Sequence, residues 1–338
     1  MSELEVTQIT DRAGTGKPNL SQGFKVSGTL DTTLVPTRTE GNTEPSTPAN
    51  GDTWYDTDND TYDVYLDSEW KRFLGASASS AWTVDLSQVT YDSVSFSFAT
   101  QDTAPRNVVF NLDGTKMYMV GRVSDAIHQY SLSTGFDIST ASYDSVSFSV
   151  SSQSQSPTSI SVNPDGTKFY LVGSNSIYQY SLSTAFDIST ASYSVTLSTS
   201  SQDTTPANIA FNTDGTKMYL VGWAGDAVYQ YSLSTGFDIN TASYDSVSFS
   251  VSSQATTPAN VKFNTDGTKM YVLNLGSRIY QYSLSTGFDI STASYDSVNF
   301  VTTNEEASAS GLIFNTDGSK LYLTGYGGDA VYQYSTGL

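Results

Sequence analysis

Residues 206–244 read PANIAFNTDGTKMYLVGWAGDAVYQYSLSTGFDINTASY, and variants of this unit recur along the chain. Aligned on the aspartate of each Asp-Gly pair, five copies are present, at Asp113, Asp165, Asp214, Asp266 and Asp317. The spacings between successive aspartates are 52, 49, 52 and 51 residues. A period of this length is typical of propeller blades and other repeat arrays, so it decides the fold class.

Each repeat predicts four antiparallel strands. Two apolar runs flank the sequence Asn-Thr-Asp-Gly, in which glycine supplies the positive φ of a tight hairpin turn. A second turn at 222–226 leads to an alternating strand at 227–233, and a longer Ser/Thr-rich connection leads to a fourth strand at 244–251. Polar and apolar residues alternate over that last stretch, which indicates a strand and not a helix face. Four antiparallel strands form one blade of a propeller.

The two ends of the repeat region complement each other. Residues 91–96 (YDSVSF) are identical to residues 143–148, so the region begins with a fourth strand that has no blade before it. Residues 330–335 (AVYQYS) form a third strand with no fourth strand after it. Pairing these two strands completes the fifth blade and removes an exposed sheet edge. We therefore predict an all-β chain with a five-bladed β-propeller over residues 82–338, closed by its N-terminal strand, with an open β-solenoid as the alternative.

The hairpin motif resembles the repeat of the YVTN-type and lactonase-like propellers, Asn-Pro-Asp-Gly-Thr-Lys-x-Tyr-Val. It stands here as NPDGTKFYLV at 163–172 and as NTDGTKMYV at 264–272. The resemblance covers all five repeats and implies a propeller fold. It implies little about chemistry, because propellers carry many unrelated functions.

Composition narrows the possible functions. The chain of 338 residues has 15 Lys and Arg against 34 Asp and Glu, a formal charge of −19, which disfavours binding to the phosphate backbone of a nucleic acid. It has no cysteine, so a disulfide framework, a zinc-thiolate site and a thiol nucleophile are excluded. The polar N-terminus and the lack of a long apolar stretch predict neither a signal peptide nor membrane insertion.

The residues before the propeller divide into three parts. Residues 1–43 predict an extended arm that is ordered only against a partner, and residues 76–81 predict a linker of small residues. Residues 44–75 predict a small β module that cannot bury much surface alone. Its aromatic residues, which we expect to serve attachment and oligomerisation, are Trp54, Tyr55, Tyr62, Tyr65 and Trp70.

This module resembles the Pro-x-x-Gly-Asp-x-Trp-Tyr-Asp … Tyr-x-Tyr … Trp module near the attachment ends of bacteriophage tail-fibre and other virion appendage proteins. In that family the module commonly lies beside a trimer axis, so the resemblance implies a homotrimer. The arm, the module and the terminal propeller then form an anchor, a hinge and an exposed head. The arm would bind other virion proteins.

No catalytic set is evident in the sequence. The only histidine, His128, occupies a strand position that holds Tyr178, Tyr229, Tyr280 and Tyr332 in the other repeats, which favours a tolerated replacement over a catalytic base. The five Asp-Gly aspartates fall in hairpin turns, where aspartate is favoured for backbone reasons. Asp56, Asp58 and Asp60 are spaced like the start of a calcium loop, but Thr61 stands where such a loop needs glycine. We therefore predict no enzyme activity, no metal and no cofactor.

Two sets of loops meet on one face of a propeller and could bind a ligand. The loops that lead into each blade carry Gln101, Gln153, Gln202, Gln254 and Glu305 at matching positions. The turns between the second and third strands contribute Arg122, Trp223 and Tyr326. Amides with occasional exposed aromatics suit sugar hydroxyls and ring faces, although the same loops also fit an ordinary solvated rim.

These observations lead to one hypothesis for function and two alternatives. We expect a virion structural protein, either a tail fibre or a capsid or neck decoration, which displays the propeller and binds a host-surface glycan. A non-viral cell-surface adhesion propeller is the first alternative. A lactonase-like enzyme or a glycoside hydrolase is the second.

Overall fold

The computed structural model describes residues 82–276 and 278–338 in full and, before them, only the backbone of six short strands. The chain divides into two compact units, residues 1–80 and 81–338. The strands of the first unit are β1 (Leu4–Glu5), β2 (Lys25–Val26), β3 (Arg38–Gly41), β4 (Thr53–Asp56), β5 (Thr61–Leu66) and β6 (Glu69–Phe73). β1 and β2 form an antiparallel pair, and β3 to β6 form a four-stranded sheet in which β3 is parallel to β4.

The aromatic residues expected in the small module lie on three of these strands. Trp54 and Tyr55 belong to β4, Tyr62 and Tyr65 to β5, and Trp70 to β6. The sheet also includes β3, which precedes the boundary expected at residue 44. The side chains of this unit, the rest of the predicted arm and the predicted linker lie outside the described residues, so the attachment and trimer hypotheses stay predictions.

The second unit contains twenty strands. The first of them is β7 (Thr90–Ser97). Blade 1 contains β8 (Pro105–Phe110), β9 (Lys116–Gly121), β10 (Ala126–Leu132) and β11 (Ala141–Ser149). Blade 2 contains β12 (Pro157–Val162), β13 (Lys168–Gly173), β14 (Ser176–Leu182) and β15 (Ala191–Ser198). Blade 3 contains β16 (Pro206–Phe211), β17 (Lys217–Gly222), β18 (Ala227–Leu233) and β19 (Ala242–Ser250).

The last two blades complete the ring. Blade 4 contains β20 (Pro258–Phe263), β21 (Lys269–Asn274), β22 (Arg278–Leu284) and β23 (Ala293–Val301). Blade 5 contains β24 (Ala309–Phe314), β25 (Lys320–Gly325), β26 (Ala330–Ser335) and β7. One-turn 3₁₀-helices precede the fourth strands, at Leu86–Gln88, Ile138–Thr140, Ile188–Thr190, Ile239–Thr241 and Ile290–Thr292. None of the helices in the described part of the chain has the length and apolar character that a membrane crossing requires.

The predicted closure of the propeller is confirmed. β7 pairs antiparallel with β26, with Ser95 opposite Tyr332 and Val94 opposite Gln333. The first strands of neighbouring blades contact one another all the way round, so β8, β12, β16, β20 and β24 surround the axis. The second unit is therefore a closed five-bladed β-propeller, in which the fourth strand of every blade is paired.

Five apolar clusters hold the blades together, each composed of side chains from adjacent blades. Two hydrogen bonds repeat at every one of these interfaces. A second-strand tyrosine donates its hydroxyl to a backbone carbonyl of a neighbouring connection, in the pairs Tyr118–Phe186, Tyr170–Phe237, Tyr219–Phe288, Tyr271–Val84 and Tyr322–Phe136. A third-strand glutamine accepts from the first residue of a 3₁₀-helix, in the pairs Gln129–Ile188, Gln179–Ile239, Gln230–Ile290, Gln281–Leu86 and Gln333–Ile138.

The first hairpin of each blade follows the predicted Asp-Gly turn. In blade 3, Asp214 accepts hydrogen bonds from the backbone N–H and the hydroxyl of Thr216. Gly215 has a φ of +72°, and the ring of Phe237 lies where its Cβ would be. The aspartate therefore shapes the turn, and the glycine is required both by backbone conformation and by packing.

Candidate ligand-binding cleft

Buried carboxylates organise one face of the propeller. Asp203, in the loop that enters blade 3, accepts hydrogen bonds from the backbone N–H groups of Thr205 at 2.7 Å and Gly225 at 2.9 Å. It thereby fastens the entry loop to the turn between the second and third strands. Asp102 does the same in blade 1, and Glu306 in blade 5. Because backbone donors already occupy these carboxylates, their role is to fix the loops that carry the candidate site.

Blades 2 and 4 lack this carboxylate. Ser154 takes its place in blade 2, and its hydroxyl contacts that of Ser174 at 3.0 Å. In blade 4 the place is held by Ala255, and the side chain of Asn274 accepts from the N–H of Thr257 instead. The face is therefore built from five different loops, although the framework beneath it repeats.

The five amide and carboxylate residues expected to bind a ligand are each tied to a tyrosine of the same blade. Each side-chain oxygen accepts a hydrogen bond from a tyrosine hydroxyl at 3.0 to 3.4 Å, in the pairs Gln101–Tyr130, Gln153–Tyr180, Gln202–Tyr231, Gln254–Tyr282 and Glu305–Tyr334. The side chains are half-buried. The structure places them in five separate contacts and does not bring them together.

Two of the other three candidates come together, and the third, Tyr326, contacts Arg106 beside them. Arg122 and Trp223 line a cleft of about 170 Å³, which blades 1, 2 and 3 form on this face. Arg106 lies in the same cleft, and its guanidinium carbon is 4.4 Å from the ring centre of Tyr326. The cleft wall is completed by short polar residues, which include Ser156, Thr158, Ser174, Asn175, Thr204 and Thr205.

Sequence reasoning missed Arg106, which lies at the centre of this arrangement. The residue after the loop proline is Thr158, Ala207 and Ala259 in blades 2 to 4, so a charged side chain there is an exception. That departure from the repeat could have identified it. Arg106 is only 7% exposed, and a buried arginine normally requires partners for its donors.

Two nitrogen donors of the cleft residues lack an acceptor among the described residues. Burial lowers the pKa of Arg106, and the like charge of Arg122 lowers it further, against opposing effects of Tyr326 and Asp102. The Nε of Arg106 and the indole Nε1 of Trp223 are buried without a hydrogen-bond acceptor. The guanidinium of Arg122 is exposed and has no ion pair among the described residues. The cleft therefore fits a ligand that is rich in oxygen acceptors or carries negative charge.

His128 makes a contact that the sequence did not reveal. Its Nε2 lies 3.1 Å from the hydroxyl of Ser124, in the turn that Asp102 holds. Burial lowers the pKa of His128 more than nearby Asp102 raises it, so the ring is neutral at pH 7. Its Nδ1 is buried without a partner, so no third group orients the ring as a catalytic triad requires.

Internal comparison explains this Ser–His pair. In blades 3 and 5 the matching residues are Gly225 with Tyr229 and Gly328 with Tyr332. A Cβ on either glycine would overlap the tyrosine hydroxyl. Where the shorter histidine replaces tyrosine, a serine fits in place of glycine, which agrees with a structural exchange.

The described residues include no arrangement for a metal ion, but they do form a second, apolar depression. Within residues 82–276 and 278–338, no group of three or more His, Asp or Glu side chains is arranged to hold a metal ion. A second depression, of about 160 Å³, lies on the opposite face among Phe110, Leu112, Phe136 and Phe186. Its lining is mainly apolar and carries no charged group.

Comparison with known proteins agrees with the propeller fold. The family model of the seven-bladed β-propeller lactonases matches residues 73–236, slightly less than half of the chain, whereas this propeller has five blades. A search of curated proteins gave no significant match.

Many solved structures match the chain at low identity. A protein of unknown function from Desulfotomaculum acetoxidans is 13% identical, with a TM-score of 0.39 over 65% of this chain and 62% of its own length. A protein from Lactobacillus plantarum is 14% identical, with a TM-score of 0.42 over 68% and 67%. A candidate 6-phosphogluconolactonase from Bacteroides fragilis is 14% identical, with a TM-score of 0.42 over 71% and 64%. The chain thus spans about two thirds of the length of these proteins.

Proposed function

We propose that the protein is a non-catalytic binding protein whose propeller binds an acidic glycan in the cleft lined by Arg106, Arg122 and Trp223. One observation carries the proposal: the cleft residues hold buried donors without acceptors beside an unpaired guanidinium. Leaving such donors unpaired is costly, and a ligand with carboxylate or sulfate oxygens would satisfy them.

The shape of the cleft also suits a sugar. The indole of Trp223 offers a flat surface for a pyranose ring, and the surrounding serine and threonine hydroxyls can exchange hydrogen bonds with sugar hydroxyls. A volume of about 170 Å³ accommodates one sugar unit, so we expect the cleft to hold a single residue of a longer chain.

Binding is favoured over catalysis by the state of the nearby acids. Asp102 and Asp203 are buried, and each accepts two or more backbone hydrogen bonds, so both carboxylates are engaged in holding loops. The family match to lactonases and the Ser124–His128 contact are the grounds for the competing enzyme hypothesis. Labelling with a fluorophosphonate probe tests it directly, because a serine activated by histidine would react and the Ser124→Ala variant would not.

Titration calorimetry with a panel of uronate, sulfated and sialylated oligosaccharides tests the binding proposal, with neutral maltotetraose as the ligand control. We expect Arg122→Ala and Trp223→Ala each to weaken binding about tenfold or more, since a hydrogen bond to a charged group contributes about 1.5–3 kcal/mol. Arg278→Ala is the matched control, because this exposed arginine lies in blade 4 and bonds to Asn299. Equal affinity of the wild type and Arg122→Ala would contradict the proposal.

We further propose that residues 1–75 anchor this binding head to a virion. The support is the resemblance of residues 44–75 to the attachment module of virion appendages. Immunogold labelling of particles with antibodies to the propeller tests the location. Label at the tail would support a fibre, label over the capsid or neck would support a decoration protein, and no label on any particle would exclude a virion role.

A further inference from the structure

A belt of polar side chains surrounds the propeller axis. The first strand of each blade contributes one residue, and these residues are Asn107, Ser159, Asn208, Asn260 and Gly311. The side-chain amides of Asn107 and Asn208 both donate to the hydroxyl of Ser159, at 2.7 and 2.6 Å. The carbonyl of the Asn208 side chain accepts from the N–H of Val261 at 3.2 Å. The belt therefore connects blades 1 to 4.

The belt is interrupted at Gly311, which has no side chain to continue it. A Cβ at this position would lie 2.9 Å from both the carbonyl oxygen of Arg106 and the Cα of Asn107, so only glycine fits. On the two sides of this gap, buried polar atoms lack partners: Oδ1 and Nδ2 of Asn260, and Oδ1 of Asn107. Fully buried amides without partners are costly, which indicates that something other than the protein satisfies them.

Lys262 follows Asn260 by two residues on β20 and therefore lies on the same face of the strand, about 7 Å further along the axis. The matching residues of the other blades are Val109, Ser161, Ala210 and Ile313. Its ammonium group makes no hydrogen bond or ion pair among the described residues. The side chain is half-buried, and its desolvation lowers the pKa of Lys262 to about 8. A lysine at this position departs from the repeat, and its ammonium group is left open to a ligand.

The charge of the surroundings shows which ligand fits. Neither the belt nor the level of Lys262 contains an aspartate or glutamate, although the chain carries a net charge of −19. Four other lysines each place Nζ within 2.8 Å of an aspartate carboxylate oxygen: Lys116, Lys217, Lys269 and Lys320. Lys262 thus offers an ammonium group to the axis, and Asn260 offers an amide N–H that is unpaired. The hydroxyl of Ser161 at the same level also makes no hydrogen bond within the described part of the chain.

We propose that Lys262 and Asn260 form a binding site for a small inorganic anion, of the size of chloride to hydrogen phosphate, at the axis of the propeller. The anion accepts from the ammonium and from Nδ2 of Asn260, while water or the proton of an oxyanion satisfies the two free amide oxygens. This site is independent of the cleft and does not depend on the proposed glycan binding.

Bromide is the first probe, because its anomalous scattering locates it directly. Crystals of the full chain soaked in sodium bromide should show an anomalous peak beside the ammonium of Lys262. In solution, bromide and phosphate are compared at constant ionic strength by thermal unfolding. Saturating the site should raise the Tm of the wild type by about 2–4 °C.

The variant Lys262→Met should abolish this rise, because it removes the ammonium group. The fold should tolerate the change, since three of the other four blades carry an apolar residue at this position, Val109, Ala210 or Ile313. Lys168→Met is the matched control and should keep the rise, since Lys168 bonds to the carbonyl of Phe237 at 3.0 Å away from the axis. A larger rise with phosphate than with bromide would identify an oxyanion as the ligand, and the reverse would identify a halide. No anomalous peak at Lys262, or an equal Tm rise in the wild type and Lys262→Met, would overturn the proposal.

Discussion

Blades 2 and 3 are built from the same four strands, yet their outer edges differ. In blade 3, Asp245 and Ser246 are inserted where the fourth strand passes Gln230 and Tyr231. In blade 2 the insertion is Ser194 alone. The turn between the second and third strands is also two residues shorter in blade 2, and the two deletions together account for the repeat spacing of 49. Some contacts are therefore present in both blades, whereas others are present in blade 3 and absent from blade 2.

The contacts between blades are the ones that both blades keep. Tyr170 in blade 2 and Tyr219 in blade 3 bond to the carbonyls of Phe237 and Phe288. Gln179 and Gln230 accept from the N–H groups of Ile239 and Ile290. These bonds lie between blades, so losing one would leave buried groups of two blades unpaired.

The contact that blade 2 lacks is the one within the blade. Asp245 accepts from Lys217 at 2.7 Å and from Gln230 at 2.9 Å. In blade 2 the hydroxyl of Ser194 contacts Ser181 at 2.8 Å, and Lys168 turns to a neighbouring carbonyl. This network is half-exposed, and exposed ion pairs contribute little, which explains why one blade can do without it.

Alkaline pH should destabilise the fold through tyrosines of both blades equally, and this is the largest effect that we expect on stability. Burial raises the pKa of Tyr170, Tyr180, Tyr219 and Tyr231 far above the usual value of 10. The folded state holds the phenolic protons more tightly than the unfolded chain, so this stabilisation is complete below pH 10 and is lost as the pH rises above it. We expect the urea midpoint to fall steeply above about pH 10.

Replacing one tyrosine in each blade tests whether the effect is shared. Tyr180→Phe and Tyr231→Phe should each make the alkaline fall shallower by the same amount, because both hydroxyls are buried against a glutamine. A fall that depends on only one of the two blades would contradict the equality of their frameworks.

The hairpin glycines should give the next largest effect, again equal in the two blades. Gly166 and Gly215 have φ values of +70° and +72°, and an added Cβ would overlap the rings of Phe186 and Phe237. Left-handed strain and overpacking together predict a loss of about 3 kcal/mol for Gly166→Ala and for Gly215→Ala. Urea unfolding at pH 7 measures both, and a loss below about 1 kcal/mol in either blade would refute the requirement.

The glutamines should begin to distinguish the blades. Gln179→Leu and Gln230→Leu each leave a buried N–H without an acceptor, at a cost of about 2 kcal/mol. Gln230→Leu also removes a hydrogen-bond donor from Asp245, and Gln179 donates to no carboxylate among the described residues. The loss of unfolding free energy should therefore be larger for Gln230→Leu than for Gln179→Leu, by about 1 kcal/mol. Equal losses of unfolding free energy in Gln179→Leu and Gln230→Leu would show that the bond to Asp245 does not distinguish the two blades.

The sequence was enough to predict the features that recur in every blade. It was not enough to identify Arg106 and Lys262, which each replace the usual residue in a single blade. The Asp-Gly period and the unpaired strand at 91–96 were enough to predict five blades and the closure of the ring. Arg122 and Trp223 were found because propeller connectivity places the turns between the second and third strands on the same face as the loops that enter the blades. Arg106 and Lys262 were missed because their importance depends on nearness to the axis, where residues far apart in sequence meet. In the sequence, the one-residue deletion at Ser194 was visible only as a shorter repeat. Its effect, the loss of the bonds that Asp245 makes in blade 3, requires the pairing of the strands to be known.

Asp245→Ala tests the difference between the blades most directly and should have the smallest effect. Burial alone would raise the pKa of Asp245, but hydrogen bonds from Lys217, Ser232 and Gln230 outweigh it and hold the pKa below the usual 3.8. A carboxylate of this kind stabilises the fold above its unfolded pKa and loses that contribution as the pH falls through its folded pKa. We expect a loss of about 1 kcal/mol at pH 7 that disappears in acid, as the pH falls below the usual 3.8 and through the folded pKa. Ser194→Ala, at the matching position of blade 2, should change stability by less than about 0.5 kcal/mol at either pH. If Asp245→Ala costs as much in acid as at pH 7, packing and not charge explains the difference between the blades.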